Sequence, residues 1–161
     1  MPDSGASTVE PFKIDVPEHV LDDLDARLRN TRLPVDFAND DWRYGVNRTY
    51  LRELLDYWLS SYDWRAHEAA MSGFQHFRTT MDGVPIHFIH ERGVGPDPIP
   101  LILTHGWPWT FWDFHEVIRP LADPGAFGGD PADAFDVVVP SLPGYGFSSP
   151  LTIPGISPRA T

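Results

Sequence analysis

Residues 99–108 read Ile99-Pro100-Leu101-Ile102-Leu103-Thr104-His105-Gly106-Trp107-Pro108, a short apolar run that ends in His-Gly-Trp-Pro. A nearly continuous apolar run of this length predicts a strand covered on both faces. Downstream, Phe111, Phe114, Val117, Ile118 and Leu121 fall on one face of a helix. Residues 123–134 read as a loop, and 135–139 as a second buried strand. Strand, helix, strand is the start of a parallel sheet, so the expected fold class is α/β.

Upstream of this unit the period changes. Phe77, Thr79 and Met81 alternate with polar neighbours, as do Val84, Ile86 and Phe88, and Asp82-Gly83 lies between the two runs. Asp-Gly between alternating runs predicts a hairpin, because both turn residues favour positive φ. Earlier still the pattern is helical. Pro17 opens a first helix in which Val20, Leu21, Leu24 and Leu28 predict one buried stripe, with Pro34 as its stop. A second helix carries Leu51, Leu54, Leu55 and Trp58 behind a cap at Asn47 or Thr49, and Asp63 caps a short third helix. Trp58, Trp64 and Phe114 read as packing residues. The domain reading is a disordered lead-in at 1–10, a helical segment at 11–73, the first part of a sheet at 74–150 and a Pro-rich tail at 151–161. A sheet with so few core strands has an open edge that another layer must cover.

Composition narrows the function classes. Twelve Lys and Arg against 23 Asp and Glu give a formal net charge of −11, which repels a phosphate backbone, so nucleic acid is not an expected partner. The absence of Cys removes thiolate catalysis, disulfides and Cys-ligated zinc. No apolar stretch is long enough to span a bilayer, and the first nine residues lack the features of a secretory signal. The expectation is a cytoplasmic chain with no membrane partner.

Two loops carry the chemistry. In His105-Gly106-Trp107-Pro108 the glycine lets the backbone turn sharply, and the Trp107 N–H is placed to stabilise an oxyanion at a strand's C-terminal end. Pro108 removes a competing donor and suits a cis peptide. His105 reads as a residue that fixes its own loop rather than as a base. The second loop is Gly144-Tyr145-Gly146-Phe147-Ser148, after the second strand. Its glycines suit a turn, and it stands where one wall of a pocket would close. Trp107, Trp109, Tyr145 and Phe147 are the candidate pocket residues; Gly144, Gly146 and Ser148 shape the loop.

Other constellations are set aside. Gly128-Gly129-Asp130-Pro131 imitates a nucleophile turn but precedes a strand, and Gly146-Phe147-Ser148-Ser149-Pro150 has proline where Gly-x-Ser-x-Gly needs glycine. His87 and His90 face opposite sides of a strand and cannot share a metal, so His76, His87 and His90 read as edge-strand polar residues.

Together, His105-Gly106-Trp107-Pro108 and Gly144-Tyr145-Gly146-Phe147-Ser148 resemble the oxyanion motif and the Gly-x-small-x-Ser/Thr motif of the epoxide hydrolases, members of the α/β-hydrolase superfamily. Pro11-Phe12-Lys13-Ile14-Asp15-Val16-Pro17, Tyr50-Leu51-Arg52-Glu53-Leu54 with Tyr57-Trp58, and Asp82-Gly83-Val84-Pro85-Ile86-His87-Phe88 resemble the N-terminal meander of the microsomal and juvenile-hormone type. Trp109-Thr110 departs from the Gly-Ser found in many relatives, which makes the pocket mouth bulkier.

The resemblance implies a helical meander followed by the first strands and helix of an incomplete α/β-hydrolase sheet. It implies hydrolysis of a small apolar epoxide to a vicinal diol through an Asp ester, without a cofactor. The nucleophilic Asp, the His and the lid tyrosines of that family lie downstream of the two motifs, so the expectation is an N-terminal portion that is inactive alone and is completed by a C-terminal half. A haloalkane dehalogenase or esterase fragment on the same fold is the rival enzyme reading. A scaffold remnant that self-associates through its open sheet edge is the non-enzymatic one.

Overall fold

In the computed structural model, which describes residues 8–156, the elements run β1 (Glu10–Pro11), α1 (Glu18–Arg29), α2 (Arg48–Ser61), α3 (Trp64–Met71), β2 (His76–Met81), β3 (Val84–Glu91), β4 (Ile99–Ile102), α4 (His115–Ala122) and β5 (Phe135–Pro140). Short 3-10 turns occupy Phe111–Phe114, Pro124–Phe127 and Pro131–Asp133, the last two inside the segment expected to be plain loop. Two units result: residues 8–14 with 69–156, and residues 15–68.

The first unit is built on a five-stranded sheet of order β1-β2-β3-β5-β4. Asp82 (φ 50°) and Gly83 (φ 81°) both take left-handed backbone, the twisted two-residue turn their sequence favours, and set β2 antiparallel to β3 with Met81 opposite Val84. β3 runs antiparallel to β5, and β5 parallel to β4, with α4 in the crossover. Ile89, Val137 and Val139 of the sheet and Ile118 of α4 are fully buried, with Phe111 and Ala122 nearly so. α4 thus buries 118 and 122; Val117, expected on the same face, is exposed.

Two expectations change here. Glu10 belongs to β1, opposite Arg78, so the lead-in does not extend to residue 10; residues 1–7 and the end of the Pro-rich tail lie outside the described residues. β4 is not covered on both faces: it is the edge strand, with Ile99 54% and Ile102 65% exposed. Its apolar composition is that of an interior strand, which an edge position leaves uncovered. The open edge itself is as expected.

In residues 15–68 the caps fall where the side chains dictate. Asn47 accepts from Thr49 N–H at 2.7 Å and Tyr50 N–H at 3.3 Å, and Asp63 accepts from Ala66 N–H at 3.2 Å. Pro17 is the N-cap of α1, one residue before its first turn. Arg65 ties the segment before α1 to α3 by donating to Val16 O, Glu18 and Glu68. The expected buried stripes are only half covered. Leu21, Leu24 and Leu28 of α1 and Leu51, Leu55 and Leu59 of α2 are half-buried, whereas Val20, Leu54 and Trp58 are exposed.

Candidate functional site

The His105 loop follows the C-terminal end of β4, and the Gly144 loop follows that of β5. These strands are neighbours and parallel, so both loops emerge at the same sheet edge, where α/β sheets place ligands. The imidazole of His105 joins them. Its Nε2 accepts from the Leu142 N–H at 3.1 Å, which leaves Nδ1 as the protonated nitrogen facing Gly106 O at 3.1 Å. His105 is buried, and with Nε2 occupied it serves as a strut rather than a base, as its turn position suggests.

Trp107-Pro108 is cis, and Trp109 N–H closes the turn onto Gly106 O at 2.9 Å. Among the described residues the Trp107 N–H has no hydrogen-bond partner. Gly106 is not in the left-handed region, so the sharp turn does not explain it; a Cβ there would meet open space. The missing side chain therefore leaves room beside the Trp107 amide. Next to it is a recess of 340 Å³ lined by Thr104, His105, Gly106, Trp109, Asp113 and Phe114.

Of the four aromatics expected to line the pocket, only Trp109 does so. Trp107 is 79% exposed and outside the recess. Tyr145 sets its ring edge-on to His105, with centroids 5.2 Å apart. Phe147 is drawn into a cluster with Phe12, His87 and Phe111, at centroid distances of 5.2–5.8 Å, because its loop folds back over the sheet. The loop glycines are used as expected. Gly144 (φ 84°) and Gly146 (φ 47°) take left-handed backbone, and a Cβ on Gly146 would come within 2.9 Å of Ser141 Oγ.

Ser148 is fully buried, accepting from His87 N–H at 2.8 Å and donating to Ser141 O at 2.7 Å, so it is no nucleophile. Asp130 caps a 3-10 turn through Ala132 N–H at 2.9 Å, which accounts for the other nucleophile-like motif. Among the described residues no three His, Asp or Glu side chains are grouped as metal ligands.

The reading of His76 and His87 as edge-strand polar residues is overturned. Both are buried and linked, His76 Nδ1 to His87 Nε2 at 2.9 Å, with His76 Nε2 on Met71 O at 2.7 Å and His87 Nδ1 on Ser141 Oγ at 2.9 Å. Burial holds both pKa values below the usual imidazole range, and with neighbouring His76 and Arg78 it pushes His87 down to about 3. His90 is separate, 3.3 Å from Asp136.

A sheet whose parallel strands feed two cross-linked loops, one with a free amide beside a recess, is the arrangement implied by the resemblance to the opening portion of an α/β-hydrolase. Comparison with known proteins agrees. The family model "Epoxide hydrolase N terminus" matches residues 9–114. A Stigmatella aurantiaca protein is 46% identical over 147 residues, covering 91% of this chain and 33% of its own length. Epoxide hydrolase 1 of Oryctolagus cuniculus is 35% identical, covering 96% of this chain and 35% of its own. Among solved structures, Aspergillus niger epoxide hydrolase matches with TM-score 0.78 and 33% identity over 94% of this chain and 40% of that one. Juvenile hormone epoxide hydrolase from Bombyx mori matches with TM-score 0.80 and 28% identity over 96% and 41%.

The chain belongs to the epoxide hydrolase N-terminus family and corresponds to the N-terminal region of these enzymes. It spans about a third of the length of the curated relatives it matches. No helix among the described residues is long and apolar enough to cross a membrane.

Proposed function

We propose that this chain supplies the oxyanion donor and one wall of the pocket for hydrolysis of a small apolar epoxide. The carboxylate and the water-activating base come from polypeptide beyond these residues. The observation that carries the reading is the Trp107 N–H, unpartnered beside the recess and held on a loop braced by His105. In the first step a carboxylate oxygen bonds to an epoxide carbon while the ring C–O bond breaks, and the released oxygen takes a proton from an acid. In the second, water adds to the ester carbonyl, and the negative charge that develops on its oxygen is where a fixed N–H is most effective. Collapse of that adduct returns the carboxylate and releases the vicinal diol. Trp109 and Phe114 present apolar surface in the recess, which suits an apolar epoxide.

The test separates the two steps. Trp107→Pro, made in the protein completed by a relative's C-terminal region, deletes that N–H donor along with the indole ring. Ester formation should persist while ester hydrolysis slows by about 10²–10³-fold, the usual cost of one oxyanion donor. Trp107→Phe, which keeps the N–H, should stay within a few-fold. Equal loss in both variants, or slowing of ester formation alone, would remove the amide from the mechanism. A dehalogenase or esterase reading is less well supported, since the helical segment at 15–68 and the family match belong to the epoxide hydrolases.

A further inference from the structure

The side chains of His76, His87 and Ser141 form one hydrogen-bonded chain beneath the Gly144 loop, joined by the Ser148 hydroxyl through backbone groups of His87 and Ser141, and its direction follows from chemistry. Met71 O can only accept, so His76 Nε2 carries a proton. A neutral His76 then accepts at Nδ1, so His87 Nε2 carries a proton and His87 Nδ1 accepts the Ser141 hydroxyl proton. The two rings lie within 19° of coplanar with centroids 5.1 Å apart, the geometry of an in-plane N–H···N bond rather than of a stack. Backbone bonds reinforce the join. Ser141 N–H donates to His87 O at 2.8 Å, and Ser148 Oγ bridges His87 N–H and Ser141 O. The next residue, Leu142, donates to His105, so the chain continues to the Trp107 loop.

One added proton has no place in this arrangement. On His87 it occupies Nδ1 and turns the Ser141 hydroxyl from donor to acceptor, which leaves the hydroxyl proton without a partner in a buried site. On His76 it sets two N–H groups against each other at 2.9 Å until His87 shifts its own proton to Nδ1, with the same result at Ser141. The space around Ser141 Oγ is closed, since Gly146 approaches so tightly that even a methyl group would not fit. The groups facing His87 are Arg78 and His76 of β2, and the uncharged rings of Phe12, Phe111 and Phe147; Arg78 adds repulsion, and no acid among the described residues offsets it.

We propose that His76 and His87 are positioning residues whose neutral, directed hydrogen-bond chain through Ser141 tethers the Gly144 and Trp107 loops, and that uptake of a single proton releases both. The consequence for turnover rests on the function proposed above; the tether itself does not. Its test therefore reads loop opening rather than activity.

Amide hydrogen exchange in the protein, expressed as protection relative to an unstructured chain at each pH, is followed together with the ring 15N shifts of His76 and His87. Protection at Leu142, Gly144 and Ser148 should fall by about tenfold per pH unit below about pH 6.5 and stay well below that of Val137 and Val139, which report unfolding of the whole sheet unit. At neutral pH both rings should show Nε2–H and unprotonated Nδ1. In Ser141→Ala, protection at Leu142 should already be low at pH 7, and its pH dependence should flatten. Loop protection equal to that of Val137 and Val139 at every pH would mean that the loops open only when the whole unit unfolds, a merely structural role for the histidine pair, and would overturn the proposal. So would loop protection that is flat between pH 7 and 5, or a Ser141→Ala protein whose loop is as protected as the parent's.

Discussion

The sheet unit and the helical unit use apolar residues in opposite ways. In residues 8–14 with 69–156, Ile89, Ile118, Val137 and Val139 are wholly buried, and the polar groups among them form a continuous hydrogen-bonded chain. In residues 15–68, α1 and α2 contain no buried residue, and Trp42, Tyr44, Tyr50, Leu54, Tyr57 and Trp58 are exposed. A recess of 410 Å³ in this unit, lined by Leu21, Leu24, Trp58, Tyr62 and Trp64 among acidic neighbours, is larger than the one beside His105. Amphipathic helices draw most of their stability from packing one face, so the sheet unit carries its own core while the apolar faces of α1 and α2 are only half covered.

Substitutions can break that contrast, beginning with the largest effect. Ile118→Ala, at a position with no exposure, should destabilise the sheet unit by about 2–5 kcal/mol, whereas Leu54→Ala, 44% exposed, should cost under about 1 kcal/mol. Urea unfolding midpoints compare the two, and equal losses would erase the distinction. Acid should act next, and first on the sheet unit. His87 has a folded pKa near 3 against about 6.5 when unfolded, so below about pH 6.5 the unfolded chain takes up a proton that the folded chain refuses. Stability is therefore complete above that pH and declines by about 1.4 kcal/mol per unit on the way down. A denaturation series from pH 8 to 4 checks the slope, and replacing both histidines with Phe should flatten it.

Smaller effects belong to the helices. Asn47→Ala removes the cap that accepts from Thr49 and Tyr50, and should cost about 1 kcal/mol, visible as fraying at the start of α2 by amide exchange. Asp23→Ala breaks an exposed pair with Arg27 at 2.7 Å and should change stability by no more than about 0.5 kcal/mol. A larger loss there would mean that α1 depends on surface charge more than on packing.

The same contrast explains what could be read without coordinates. Asp82-Gly83, Asn47 and Asp63 act through their own neighbours in sequence, so the hairpin and both caps were legible. The two site loops were legible because each directly follows a strand. Coverage was not. Leu54 and Trp58 have the spacing of a buried stripe, yet spacing does not say whether anything packs on it. Nor could the apolar run at 99–102 announce an edge position, since strand order depends on β5, more than thirty residues later. The histidine pair was hidden for a related reason. His76 meets His87 only once Arg78 stands opposite His87, a register that sets two residues eleven apart on a shared diagonal. Two histidines at alternating positions of a hairpin, followed by serines bracketing a glycine loop, are the signal that would have suggested it.

On the function proposed above, these residues furnish the oxyanion loop of an epoxide hydrolase whose nucleophile lies elsewhere. Diol formation from a small apolar epoxide tests it most directly, measured on the 161-residue chain and on the same chain joined to the C-terminal region of a relative. The account predicts no diol above background from the first and turnover from the second. Diol produced by the 161 residues alone would contradict it.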